Sequence, residues 1–186
     1  MRIGIYGSAS KTMDEIVRQT ARIVGHWAAE QGHIIVTGGC GGYPYEAVLG
    51  AQEKGGQCIA YSPAVDIKQH RELYGFPTEG FTDFVFVPLE FGHQDDKQLR
   101  LKYRNIGSVR SVDAGIIIAG RIGTMNEVTL LYDFGKNIGV LQGTGGITQS
   151  AIKVLIAEAG KQSASHVVYD HDPVALVQKL ASLYRP

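Results

Sequence analysis

The chain has 186 residues, 44% of them hydrophobic and 19% charged, and its 18 basic residues balance its 18 acidic ones. That length and composition fit one soluble domain with a sizeable core, and zero net charge argues against a general nucleic-acid partner, whose phosphates call for a clustered Lys/Arg excess. The opening "MRIGIYGSAS" turns to Gly and Ser too soon for a signal peptide, and no segment nears the ~20 apolar residues that span a bilayer.

Apolar runs and helical patterns alternate along the chain. "RIGIYG" predicts a first strand, and residues 13–31 a helix with apolar positions at Ile16, Thr20, Ile23, Trp27 and Ala28. "HIIVTGG" predicts a second strand and "EAVLGAQEKGG" a short helix closed by Gly55 and Gly56. "QCIAYSP" and "DFVFVPL" read as strands, with the irregular stretch 63–82 between them expected to form a loop over one sheet edge. A polar-rich helix over 95–111 precedes a fifth strand, "AGIIIAG", and a helix over 124–135 follows it. "NIGVLQG", a helix over 147–160, "HVVYD" and a helix over 172–184 complete the series.

Such βαβ alternation, with strands apolar on both faces, predicts a single Rossmann-like domain: an α/β, doubly wound, mostly parallel sheet of about seven strands with helices on both faces. Glycines concentrate after the strands: Gly7; Gly38, Gly39, Gly41 and Gly42; Gly120 and Gly123; and Gly143, Gly145 and Gly146. In a parallel sheet these turns share one edge, where backbone can approach a ligand closely and helix starts offer free N–H groups. Tight βα turns also use glycine, but several together point to a nucleotide-like or otherwise phosphorylated small molecule. Neither a Gly-x-Gly-x-x-Gly after the first strand nor a Walker A sequence is present.

Two cysteines, Cys40 and Cys58, are too few for a disulfide scaffold, and no Cys/His cluster has zinc spacing. The protein is expected to be cytoplasmic and reduced, away from membranes, with neither a metal nor another cofactor.

"LRLKYRN" (99–105) followed by "SVDAGIIIAGRIGTMNEV" is the most specific segment. It resembles the LONELY GUY family of nucleoside 5'-monophosphate phosphoribohydrolases, often labelled "possible lysine decarboxylase". That family has a helix Arg, a strand, then Pro-Gly-Gly-x-Gly-Thr-x-x-Glu, at the separation of Arg104 and Glu127. "VTGGCGGYPYEAVLGAQEKGG" and "YGSAS" are similar to its other loops, so the resemblance covers roughly residues 1–160. Several positions depart from it: Ala119 stands for the Pro, Arg121 for the second Gly, Asn105 for the Lys after the helix Arg, and Pro44-Tyr45 for Met-Gly. The insert at 63–95 is longer than in short members. These departures suggest an outlying branch that also resembles the molybdenum-cofactor carrier proteins, where binding need not lead to hydrolysis.

The resemblance implies cleavage of an N-glycosidic bond, with Glu127 stabilising an oxocarbenium-like state or activating water, and Arg104 holding that glutamate ionised. Gly123 and Thr124 would take the 5'-phosphate at a helix start. Gly39 and Gly42 would line the opposite side, and Gly7, Ser8, Gly38, Gly120 and Arg121 complete the candidate binding set. It also implies a homodimer or higher homo-oligomer. Non-catalytic binding of a nucleotide or phosphopterin is the alternative.

Each residue has a plainer reading. Thr124 and Glu127 could be N-cap and N3 of a capping box. Arg104 could lie on a solvated helix face. Arg121, if its position requires positive φ, would be strained, and could either contact a phosphate or block the pocket. Asp95 reads as an N-cap, His93 as a loop residue, and His70 and Arg71 as candidate lid residues. Cys40 has no assignable histidine base. No lysine stands in a recognisable pyridoxal-phosphate context.

Overall fold

The computed structural model describes residues 1–10, 12–93 and 95–184. Seven strands form one sheet: β1 (Arg2–Gly7), β2 (Ile34–Thr37), β3 (Cys58–Tyr61), β4 (Asp83–Val85), β5 (Ala114–Ile118), β6 (Asn137–Leu141) and β7 (Val167–Asp170). Their order is β4-β3-β2-β1-β5-β6-β7, and every pairing is parallel. The helices are α1 (Glu15–Glu30), α2 (Tyr43–Gln52), α3 (Ile67–Glu72), α4 (Lys97–Arg110), α5 (Ile122–Asp133), α6 (Ala151–Glu158) and α7 (Pro173–Leu183).

Alternation along each strand feeds two cores. Ile3, Ile5, Ile116 and Ile118 face α1, α2 and α7. Tyr6, Ile117, Ile138 and Val140 face the opposite layer, with Val109 of α4, Val128 and Leu131 of α5, and Ile152 of α6. The chain winds outward from β1 to β4, then α4 carries it back across the sheet to β5 on the other side of β1. The strand order therefore reverses between β1 and β5, and a crevice opens at their carboxyl ends.

Three expectations change. The inner face of α1 is Val17, Ala21, Val24, Gly25 and Ala28, whereas Ile16 and Ile23 are 76% and 45% exposed. α1 lies so close to α2 that a β-carbon on Gly25 would sit 1.8 Å from the Ala47 carbonyl oxygen, so small residues hold the contact and the large ones turn outward. The expected loop at 63–82 contains α3, started by the Asp66 carboxylate, which accepts from Gln69 N at 2.7 Å. β4 is only three residues, because it is an edge strand whose ladder ends with Tyr61 opposite Val85. No helix among the described residues is long and apolar enough to cross a membrane.

Candidate functional site

At the β1/β5 reversal lies a pocket of about 400 Å³, a size suited to a small ligand. Tyr6, Gly7 and Ser8 enter it from β1, Gly38 and Cys40 from the β2–α2 turn, Arg104 and Asn105 from α4, and Arg121, Gly123, Thr124 and Glu127 from α5.

α4 delivers its residues through an unusual inner face. Arg100, Arg104, Asn105, Ser108 and Val109 are buried at helical spacing, so the stripe turned to the sheet is mostly polar. Lys102, between the two arginines, is exposed at the rim of the pocket. Arg104 is 9% exposed and not part of a solvated face. Its guanidinium lies against the Gly38 backbone, where a β-carbon would stand 1.4 Å from Nη1. Glycine is needed there to admit the side chain, and Arg104 Nε is buried without a partner among the described residues.

α5 starts earlier than the sequence suggests. Arg121 is the N-cap, with extended backbone at φ −136, and Met125 N donates to its carbonyl at 2.9 Å. Thr124 is thus the third helical residue and Glu127 the sixth, which excludes the capping box. The positive φ falls instead on Ala119, at +54, and on Gly120, at +93. Arg121 is therefore unstrained and exposed at the pocket mouth. The Ala119 N–H donates to Thr144 Oγ1 at 2.8 Å, and Ile147 N donates to the Gly120 carbonyl at 3.1 Å. The glycine turn after β6 braces this loop from behind and does not line the pocket.

Glu127 is 7% exposed and accepts no hydrogen bond among the described residues. Burial pushes its carboxyl up to about 7, with Arg104 and then Lys102 pulling the other way. Arg104 and Glu127 share the pocket but form no ion pair within 4 Å, so the arginine does not hold the glutamate fully ionised. Tyr6 beneath them bonds Ser108 across 3.0 Å, and burial raises its hydroxyl far above the usual phenol range. Burial also raises the Cys40 thiol, opposed by Arg104, which disfavours a thiolate there.

The helix starts differ in a way that bears on ligand binding. α1, α3, α4 and α7 are capped by Asp14, Asp66, Asp96 and Asp172, whose carboxylates accept first-turn amides. Asp96, not Asp95, caps α4. α2 and α5, which open on the pocket, have no side-chain cap. α6, away from it, also lacks one. The first-turn amides of α5 point at the pocket with no side chain answering them.

Gly39, Gly42 and Gly120 shape the loops behind the pocket wall and do not line it. Gly42 has φ +80, and a β-carbon there would meet the Ser8 carbonyl oxygen at 2.1 Å, so the β1 and β2 turns are locked together. His70 is fully buried and structural: it bonds Ser62 Oγ at 2.8 Å through Nδ1 and the Pro77 carbonyl at 2.9 Å through Nε2. Arg71 and His93 are exposed and lie outside the pocket lining. Tyr6 and Ser10, from the "YGSAS" loop, and Pro44 also line it, as does Gln98, which carried no sequence signal. No group of three or more His, Cys, Asp or Glu side chains that could hold a metal occurs among the described residues.

The model of the SLOG cluster4 family matches residues 1–177. An uncharacterized protein of Archaeoglobus fulgidus is 30% identical over 142 residues, 76% of this chain and 80% of that one. Among solved structures, the structural-genomics target TM1055 superposes with a TM-score of 0.78 at 21% identity, covering 98% of this chain and 99% of its own. The molybdenum cofactor binding protein of Rippkaea orientalis superposes with a TM-score of 0.74 at 21% identity, covering 98% and 96%. These likenesses support the Rossmann-like fold described above.

Proposed function

The chain belongs to the SLOG cluster4 family, and from that premise we propose that it binds a phosphorylated small molecule, a nucleotide or a phosphopterin, at the β1/β5 reversal. The carrying observation is the uncapped start of α5 opening on the same pocket as a buried arginine whose Nε lacks a partner among the described residues. Free amides and a guanidinium are what a phosphate accepts from. Gly123 and Thr124 would take the phosphate, Arg121 would close over it from the mouth, and Arg104 would bind deeper. The similarity to a molybdenum cofactor binding protein is compatible with a pterin as cargo. The polar groups here suit the phosphate end of such a ligand.

A second reading is N-glycosidic hydrolysis of a nucleoside 5'-monophosphate, favoured by Glu127. A carboxyl titrating near 7 can both give and take a proton at working pH. Binding ranks first because Glu127 is not paired to Arg104, and because the loop before it takes a course at Ala119 that the Pro of the phosphoribohydrolases cannot follow.

Calorimetric titration with nucleoside 5'-monophosphates and phosphorylated pterins, with chromatography of the same mixtures, separates the readings. Arg104→Ala should weaken binding tenfold or more, the weight of a charge-assisted hydrogen bond of roughly 1.5–3 kcal/mol. Base release by wild type, lost in Glu127→Ala and Arg104→Ala, would establish the hydrolase. Binding without release establishes the binding protein.

A further inference from the structure

Asn105 is 5% exposed and lines the pocket beside Arg104. Its amide orientation is fixed by its neighbours. Asn126 Oδ1 receives Lys102 Nζ at 3.4 Å and Asn105 Nδ2 at 2.9 Å. An ammonium can only donate, so the Asn126 atom between them is oxygen, and Asn105 must turn its NH2 toward it. The Asn105 oxygen then points the other way, and it is buried with no partner among the described residues. Leaving such an acceptor unmade is costly, so a bound donor is the natural way to satisfy it.

We propose that Asn105 is a specificity-determining residue whose Oδ1 accepts a hydrogen bond from a ribose hydroxyl, so that the site selects ribonucleotides over deoxyribonucleotides. The proposal rests on the nucleotide reading of the pocket. Asn105 cannot serve the phosphate, because a phosphate at neutral pH presents acceptors and would face an acceptor. The asparagine is held instead by Asn126, two residues and about 3 Å of helix beyond Thr124 at 1.5 Å per residue. With the phosphate on the first turn of α5, the group at that greater depth is the sugar. Glu127, the next residue, supplies a second acceptor when ionised, and a ribose diol can donate to both.

Affinities for the ribo- and 2'-deoxyribonucleoside 5'-monophosphates of the four common bases would test this, with the 3'-deoxy form of whichever base binds best. Wild type should bind the ribonucleotide at least tenfold more tightly than the form lacking the contacted hydroxyl. Asn105→Leu, which removes the acceptor, should reduce that ratio to near one. Asn105→Asp, which keeps an acceptor but loses the donor to Asn126, should retain it. A merely structural asparagine would weaken all nucleotides equally in both variants and leave the ratio unchanged. Tight wild-type binding with no preference between the sugars overturns the role of Asn105 while leaving the nucleotide site standing. No binding of any nucleotide overturns both.

Discussion

At the scale of single residues, Glu127 has the clearest physical signature. Its carboxyl is raised from 4.5 to about 7. Between those values the folded protein keeps a proton that the unfolded chain has released. The contribution of this group is therefore most favourable below about pH 4.5 and is lost as pH rises to about 7, a change worth about 3 kcal/mol. Glu127→Gln is neutral throughout. Chemical denaturation of ligand-free protein should show the variant gaining on wild type by up to about 3 kcal/mol between pH 4.5 and 8. A stability difference independent of pH would mean that the carboxyl is not raised. The sequence supplied the identity of this residue but not its state. "TMNE" reads equally well as a helix cap, and only the start of α5 at Ile122 removes that reading.

At the scale of elements, the β5–α5 loop explains why this chain departs from the phosphoribohydrolase pattern. Ala119 has φ +54 and gives its N–H to Thr144 Oγ1. Proline fixes φ near −65° and has no N–H, so it fits neither requirement. Ala119→Pro should lower stability by at least about 2 kcal/mol, from backbone strain plus a lost buried hydrogen bond. Ala119→Gly, which accepts the left-handed backbone, should be tolerated. Thermal unfolding of the two variants checks this, and equal behaviour would show that the loop can adopt the course a proline requires. Strand-turn-helix order was legible here from "AGIIIAG" and the following helical pattern. The sign of φ at Ala119 was not, because it is imposed by the β6 turn, which is remote in sequence. The burial of Arg104 was also hidden: in "LRLKYRN" charges look like a solvated face until α4 is laid across the sheet end.

At the scale of the whole molecule the net charge is zero, although α4 carries Lys97, Arg100, Lys102, Arg104 and Arg110 with no acidic residue. Ion pairs such as Lys54–Glu30, Lys161–Asp133 and Lys179–Asp170 are scattered over separate elements. Arg18 and Arg22 are held near Glu46. Zero net charge is the ground for expecting no general nucleic-acid binding. A fluorescent single-stranded oligonucleotide mixed with the protein at 50 mM salt should show no salt-sensitive rise in anisotropy. A rise suppressed by added salt would reverse the expectation taken from composition.

The alternation of apolar runs and helical spacing by itself determined the Rossmann-like sheet, its parallel sense and the edge on which the glycine turns gather. These follow from local periodicity and the need to cover both strand faces. Tertiary structure decided which of those turns line the pocket. The order reversal between β1 and β5 brings Gly7, Gly38, Arg104 and Glu127 together, while the β6 glycines are diverted to bracing. It also decided that small residues of α1 face inward while its isoleucines face out, because the approach of α2 leaves no room for them. Burial, a property of the assembled layers and not of any one segment, sets the ionisation of Glu127 and leaves the Asn105 oxygen and Arg104 Nε without a partner among the described residues.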